Sequence, residues 1–139
     1  MAHFKNIYLA EDDTDDVEFF TEALHDICPG CTLTVSGNGE ELLNTLQHSA
    51  NKPDIIFTDV NMPGTNGIEA LISLKNNSVL KSIPIIIYST SANPDSVKSA
   101  YDNGANHYFT KPSSFSTLTE KLKMILSVNW SGFTMPAAL

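Results

Sequence analysis

Asp54-Ile55-Ile56-Phe57-Thr58-Asp59 is a short apolar run that follows a proline and ends abruptly in a carboxylate. A run of this length is too short for a helix, and its β-branched and aromatic residues favour a buried strand. Four similar runs occur along the chain, and each is bounded by turn-forming or polar residues. These further predicted strands cover residues 6–10, 33–35, 85–89 and 107–110. The sequence therefore predicts five short strands, with a third strand over residues 54–58.

Helical periodicity fills the segments between the strands and after the last one. In the first of these, Val17, Phe20, Leu24 and Ile27 recur every three or four residues, and Thr14 is a suitable N-cap. The other predicted helices carry Leu42, Leu43 and Leu46, then Ile68, Leu71, Ile72 and Leu74, then Pro94, Val97, Ala100 and Tyr101, and finally Phe115, Leu118, Leu122, Ile125 and Leu126. Strict alternation of strands and helices predicts an α/β fold, with a doubly wound parallel sheet and helices on both faces.

The size and charge of the chain restrict its class. A chain of 139 residues with 42% hydrophobic content forms one ordinary globular domain. It has 16 acidic residues against 8 basic residues, all of them lysine, which argues against binding to nucleic acid or to an anionic membrane. No apolar run is long enough to span a bilayer, and no signal peptide opens the chain. We therefore expect a cytoplasmic protein.

The predicted strands end in residues that could carry chemistry. The first strand is followed by Glu11 and Asp12, the third by Asp59, and the fifth by Lys111, while the fourth ends in Ser89. Ligands of doubly wound sheets bind beyond the carboxyl ends of the strands, so these side chains are expected to converge. Clustered carboxylates repel one another unless a cation joins them, and oxygen ligands suit Mg²⁺. A phosphoryl group held by Mg²⁺, a lysine and a hydroxyl fits this set.

A simpler interpretation applies to the acids taken one at a time. Asp15, Asp16 and Glu18 fall in the first turns of a predicted helix, where the helix dipole favours acids that are merely solvated. Glu11 and Asp12 fit that explanation less well, because they directly follow an apolar strand. The joint placement of functional groups at four strand ends is what favours a site.

Five blocks of this sequence, in order over roughly residues 5–127, resemble the receiver domain of two-component response regulators. The blocks are residues 7–13, residues 54–64, Gly67, residues 84–90 and residues 104–112. Each block is weakly specific alone, and together they are highly specific. The loops at residues 76–81 and 89–95 also resemble the small regulators associated with phytochrome-type kinases.

The resemblance implies a role for each matching residue. Asp59 matches the aspartate that accepts a phosphoryl group, and Ser89 and Lys111 match the hydroxyl and the lysine that contact its oxygens. Tyr108 matches an aromatic switch residue, and Pro112 matches a proline often preceded by a cis bond. The implied Mg²⁺ site, with Mn²⁺ as a substitute, consists of Glu11, Asp12, Asp59 and the backbone carbonyl of Asn61, with Asp12 as a direct ligand and Glu11 acting through water.

The resemblance also implies an architecture and a set of partners. It implies a flavodoxin-like sheet of order 2-1-3-4-5 and a receiver domain over residues 1–128. Residues 129–139 carry Gly132 and Pro136 and no clear period, so we expect a loose tail there. Its partners would be a sensor histidine kinase or phosphotransfer protein and a downstream protein target. A homodimer through the face of the fourth helix, fifth strand and fifth helix is a further expectation. The protein would be a signalling switch that catalyses only its own phosphorylation and dephosphorylation.

Two alternatives from other classes remain open at this point. Cys28-Pro29-Gly30-Cys31 is a C-x-x-C pattern, but it follows a helix instead of preceding one, so an ordinary turn is preferred to redox or metal chemistry. A phosphatase of the haloacid-dehalogenase type also uses an aspartate at a strand end with Mg²⁺. That chemistry needs a second carboxylate at the position of Asn61. The sequence does not decide whether Trp130 packs the tail on the domain or faces a partner.

Overall fold

A computed structural model describes residues 4–62, 67–131 and 133–138. Within those ranges five strands alternate with five helices, as the hydrophobic pattern predicts. The strands are β1 (Asn6–Ala10), β2 (Thr32–Ser36), β3 (Ile55–Thr58), β4 (Ile85–Ser89) and β5 (His107–Thr110). The helices are α1 (Thr14–Ile27), α2 (Gly39–His48), α3 (Gly67–Lys75), α4 (Pro94–Asp102) and α5 (Phe115–Ser127). The sequence predicts a loop over residues 61–67, and residues 63–66 of it lie outside the described residues.

The five strands form one parallel sheet of order β2-β1-β3-β4-β5, which confirms the expected doubly wound fold. Alternate side chains of each strand enter opposite cores, because successive residues of a strand point to opposite faces. Tyr8 and Ile56 pack with α2, α3 and α4 in one core, whereas Ile7, Leu9 and Phe57 pack with α1 and α5 in the other. Both faces of the sheet are therefore covered by helices, and the ends of its strands are left open for a site.

The N-cap of α1 differs from the predicted one. Asp13, not Thr14, caps the helix, since its carboxylate accepts a hydrogen bond from the backbone N–H of Asp16 at 3.0 Å. Thr14 is the first residue inside the helix. The shift has a physical reason, because a carboxylate at the N-cap both accepts this bond and interacts favourably with the helix dipole.

The ladder of the sheet continues one residue past the strand ends and fixes the residues that follow. The backbone N–H of Glu11 donates to the carbonyl of Ser36 at 2.8 Å, and that of Asp59 donates to Ala10 at 3.1 Å. The N–H of Lys111 donates to the carbonyl of Ser89 at 2.9 Å. These bonds hold the backbones of Glu11, Asp59 and Lys111 in register at one edge of the sheet.

Cys28 and Cys31 form a disulfide bond, which the ordinary turn preferred from the sequence did not include. Cys28 is the C-cap of α1, and the four-residue turn leads directly to β2. With both sulfurs in the disulfide, neither is available as a zinc ligand. The bond lies at the opposite end of α1 from Asp13 and Asp16.

The described residues of the C-terminal segment, 129–131 and 133–138, pack against the domain, whereas the sequence suggested a loose tail. The backbone of Ala138 donates to Tyr108 at 3.0 Å and accepts from Thr110 at 3.2 Å, so the tail pairs with the outer edge of β5. Trp130 is buried, donates to the carbonyl of Ile125 at 2.9 Å and stacks on His107. Trp130 thus packs the tail on the domain. The boundary expected at residue 128 stays a prediction.

Candidate functional site

The ammonium group of Lys111 lies at the centre of the carboxyl edge of the sheet. It forms ion pairs with Glu11, with Asp16 at 2.8 Å and with Asp59 at 2.8 Å. The side chains of Lys111, Glu11 and Asp59 are almost completely buried, whereas that of Asp16 is one third exposed. The Lys111 Nζ also lies 5.4 Å from the centre of the Tyr88 ring, within cation–π distance. The structure thus brings together the side chains of Glu11, Asp59 and Lys111, which directly follow β1, β3 and β5, as the sequence predicts.

Burial and charge perturb the protonation of this cluster. Burial raises the pKa of Glu11 to about 7, and the nearby Asp59 charge adds to that rise, while the hydrogen bond from Lys111 opposes it. Burial alone lowers the pKa of Lys111, but its hydrogen bonds to Asp16, Asp59 and Glu11 outweigh burial and raise it. Lys111 therefore keeps its positive charge, and the raised pKa of Glu11 falls near neutral pH.

Both oxygens of the Asp59 carboxylate have donors. The Oδ2 atom accepts from Lys111, and the Oδ1 atom accepts from the backbone N–H of Asn61 at 3.0 Å. The next described residue after Met62 is Gly67, and a Cβ atom added to it would clash with the Asp59 backbone. Asn61 is therefore placed beside Asp59 as predicted, although its carbonyl as a metal ligand stays a prediction. The Lys111–Pro112 bond is trans, unlike the cis bond that the resemblance suggested.

The oxygens of Glu11, Asp12 and Asp59 fit a divalent cation. One carboxylate oxygen from each lies within 4.8 Å of the others, and Asp12 is exposed while the other two are buried. The donors are all oxygen, which suits Mg²⁺ or Mn²⁺ better than softer metals. Lys111 pairs with Glu11, Asp59 and Asp16, and Asp12 adds a further carboxylate beside Glu11 and Asp59. Among the described residues of this site, carboxylates therefore outnumber the ammonium, and a cation would relieve the excess of negative charge.

Ser89 and Tyr108 are connected through one residue. The buried Ser89 hydroxyl accepts from the backbone N–H of Ser91 at 3.2 Å. The Tyr108 hydroxyl donates to the carbonyl of the same Ser91 at 2.7 Å, and the Tyr108 ring is completely buried. A displacement of the Ser89 hydroxyl would therefore change the hydrogen bonds of Ser91, including the one that it accepts from Tyr108.

Asp16 is the site residue that the sequence interpretation missed. It was expected to be a solvated acid of the first helical turn, whereas its carboxylate contacts Lys111. A signal was present in the sequence, because Asp16 stands four residues before Phe20, on the same face of α1. Phe20 is completely buried, so that face points toward the sheet.

The comparison with protein families agrees with this geometry. Residues 7–123 match the family described as the response regulator receiver domain. The chain belongs to this receiver family. Response regulator Rcp1 of Synechocystis sp. (strain ATCC 27184 / PCC 6803 / Kazusa) is 31% identical to this receiver over 139 residues, covering 96% of this chain and 95% of Rcp1.

Solved structures give the same assignment. The crystal structure of the phosphorylated cyanobacterial phytochrome response regulator RcpA matches this receiver with a TM-score of 0.81 and 33% identity, covering 88% of this chain and 91% of RcpA. The Mn²⁺-bound form of Rcp1 matches with a TM-score of 0.79 and 30% identity, covering 96% of this chain and 99% of Rcp1. The receiver is thus similar to stand-alone, phytochrome-associated regulators, as its loops suggested.

Membership of this family defines the general function. The chain is a receiver domain of phosphorelay signalling, homologous to stand-alone regulators such as Rcp1 and the chemotaxis protein CheY1 of Helicobacter pylori. Receivers act as switches between histidine kinases and downstream targets, and the family match gives the phosphatase alternative no support. Among the described residues, no helix is long and apolar enough to cross a bilayer.

Proposed function

We propose that this receiver accepts a phosphoryl group on Asp59 from a phosphohistidine of a sensor kinase or phosphotransfer protein. In this step a carboxylate oxygen of Asp59 forms a bond to phosphorus as the phosphorus–nitrogen bond to histidine breaks, and the leaving imidazole takes up a proton. The observation that carries this proposal is the position of the Asp59 carboxylate, 2.8 Å from the ammonium of Lys111 and within 4.8 Å of the Glu11 and Asp12 oxygens.

Glu11, Asp12, Asp59 and the Asn61 carbonyl are the groups that would hold Mg²⁺, with Mn²⁺ as a substitute. The bound cation would offset the charge that the carboxylates and the phosphoryl oxygens bring together. The Mn²⁺-bound form of the similar Rcp1 supports this assignment. Lys111 contributes a second, permanent positive charge 2.8 Å from the Asp59 carboxylate, and it would bind the phosphoryl oxygens as a cation.

Ser89, Ser91 and Tyr108 form the proposed switch. A phosphoryl group on Asp59 offers strong acceptor oxygens, and the Ser89 hydroxyl is drawn toward them. The Ser91 N–H then loses its acceptor at Ser89, and the Ser91 carbonyl that holds the Tyr108 hydroxyl changes position. The packing of Tyr108 against α4 thereby differs between the two states, which alters the protein-binding surface formed by α4, β5 and α5.

The face formed by α4, β5 and α5 is the proposed binding surface for protein partners. A downstream protein, or a second copy of the chain, would bind the face formed by α4, β5 and α5. The tail lies along the outer edge of β5 and its Met135 carbonyl accepts from the Tyr101 hydroxyl at 2.6 Å, so any partner has to accommodate the tail. In this scheme the receiver catalyses only its own phosphorylation and dephosphorylation. Cytoplasmic location stays a prediction.

Binding of beryllofluoride, a mimic of the phosphoryl group, tests this proposal. We expect wild-type protein to show a bound fluorine signal in ¹⁹F NMR only when Mg²⁺ is present. Ser89→Ala should still bind the mimic but should lose the accompanying change in amide exchange at β5 and α4. Absence of a bound signal in wild type at saturating Mg²⁺ would contradict the proposed phosphoacceptor.

Metal binding should depend on pH through Glu11. Because the pKa of Glu11 is raised to about 7, a proton competes with the cation for its carboxylate below neutrality. The Mg²⁺ affinity is therefore expected to fall by up to about tenfold per pH unit below about pH 7, and to level off above it. Calorimetric titrations of wild type and Glu11→Gln across this range measure the effect. The variant should bind weakly with little pH dependence, and a flat wild-type profile would contradict the role of Glu11.

A further inference from the structure

The ammonium of Lys111 has three hydrogen-bond donors and three carboxylate partners. Two of these partners, Glu11 and Asp59, belong to the oxygen cluster that fits a cation. The third, Asp16, does not belong to that cluster. It reaches Lys111 from the first turn of α1 at 2.8 Å, and its own helix position is fixed by the hydrogen bond from its N–H to Asp13.

We propose that Asp16 is a positioning residue that serves as an alternative anion for Lys111 and so sets how the ammonium is shared between Asp59 and an incoming phosphoryl group. The inference rests on the proposed function of Asp59. When Glu11 and Asp59 act as metal ligands, their oxygens are less available to Lys111, and the ion pair with Asp16 remains. When a cation occupies the metal site, the Lys111 ammonium therefore pairs mainly with the Asp16 carboxylate.

This arrangement has two consequences of opposite sign. Without the Asp16 charge, Lys111 pairs more strongly with Glu11 and Asp59, and the cluster is less negative, so a divalent cation should bind more weakly. A phosphoryl group, in contrast, competes with Asp16 for Lys111 and is repelled by its charge. Loss of that charge should therefore tighten binding of a phosphoryl mimic once the metal site is saturated.

The variant Asp16→Asn tests the proposal with Asp15→Asn as a matched control. Asp15 is the adjacent acid of the same helical turn, is exposed and makes no ion pair among the described residues. Both substitutions remove one negative charge near the helix N-terminus. The measurements are Mg²⁺ titration of the protein alone, and beryllofluoride titration at saturating Mg²⁺. Thermal unfolding confirms that each variant is folded.

For Asp16→Asn we expect Mg²⁺ to bind about threefold more weakly and beryllofluoride to bind about threefold more tightly, which is the size of effect expected from a partly exposed ion pair. Asp15→Asn should change neither constant appreciably, and Asp16→Glu, which keeps the charge, should shift both back toward wild type. A merely structural role would weaken both ligands together.

Two results would overturn the inference. Asp16→Asn could match Asp15→Asn in both titrations, or it could weaken both ligands in step. Either result leaves the phosphoacceptor role of Asp59 intact, because wild-type protein still binds the mimic with Mg²⁺. Failure of wild type to bind the mimic at all would instead overturn the proposed function on which the inference rests.

Discussion

Gly67→Ala is expected to destabilise the fold severely and to displace Asp59. A Cβ atom on Gly67 would lie 2.0 Å from the carbonyl oxygen of Asp59, 2.8 Å from its carbonyl carbon and 3.0 Å from the Cα of Val60. All three are backbone atoms, so no side-chain rotation relieves the clash. Either α3 moves away from the sheet or the Asp59 backbone shifts, and both outcomes disturb the carboxylate that contacts Lys111.

We expect Gly67→Ala to lower the free energy of unfolding by about 3 kcal/mol or more, at the upper end of overpacking effects. The loss would occur although alanine favours helices over glycine by up to about 1 kcal/mol. Urea unfolding measures it, and Gly30→Ala is the control, because nothing lies within 4 Å of a Cβ there. Equal stabilities of the two variants would show that α3 does not approach Asp59 as closely as described.

Lys111→Met is expected to separate metal binding from phosphoryl binding. The substitution leaves the buried carboxylates of Glu11 and Asp59 without their cation, and breaking such a pair from one side costs about 3 kcal/mol or more. Because the ammonium no longer competes for these oxygens, Mg²⁺ should bind at least about tenfold more tightly and restore much of the lost stability. Beryllofluoride binding should be lost, since the phosphoryl oxygens have no lysine to contact.

Thermal unfolding with and without Mg²⁺ measures the first effect, and mimic titration measures the second. Lys98→Met is the control, since Lys98 forms an ion pair with Asp102 on the surface, where both side chains are largely exposed. That variant should lose little stability and should bind both ligands like wild type. If Lys111→Met unfolded like Lys98→Met and gained nothing from Mg²⁺, the central position of Lys111 would be wrong.

The hydrophobic pattern predicted the order of the elements because a parallel sheet is buried on both faces. Strands such as β4, with Ile85, Ile86 and Ile87 all completely buried, appear in the sequence as unbroken apolar runs. Once the strands are known, the site follows, because Glu11, Asp59 and Lys111 are the residues at their carboxyl ends. The family resemblance then supplied roles that spacing alone does not carry.

The features that the sequence did not predict depend on contacts without a periodic pattern. Residues 133–138 bind β5 through backbone hydrogen bonds, which any side chain permits, so the tail lacks an apolar period. The disulfide of Cys28 and Cys31 depends on the geometry of one turn. The contact of Asp16 with Lys111 joins residues 95 positions apart in the chain. Its one signal in the sequence is the spacing of Asp16 from Phe20, one helical turn later, whose side chain is buried.

Intact mass spectrometry after incubation with Mg²⁺ and a small phosphoryl donor tests the central claim most directly. Wild type should gain the mass of one phosphoryl group, the gain should vanish when the metal is chelated, and peptide mapping should place it on Asp59. Asp59→Asn should gain nothing, while Asp54→Asn, at the opposite end of β3, should behave like wild type. A metal-independent adduct, an adduct at another residue or an adduct that persists in Asp59→Asn would contradict the account.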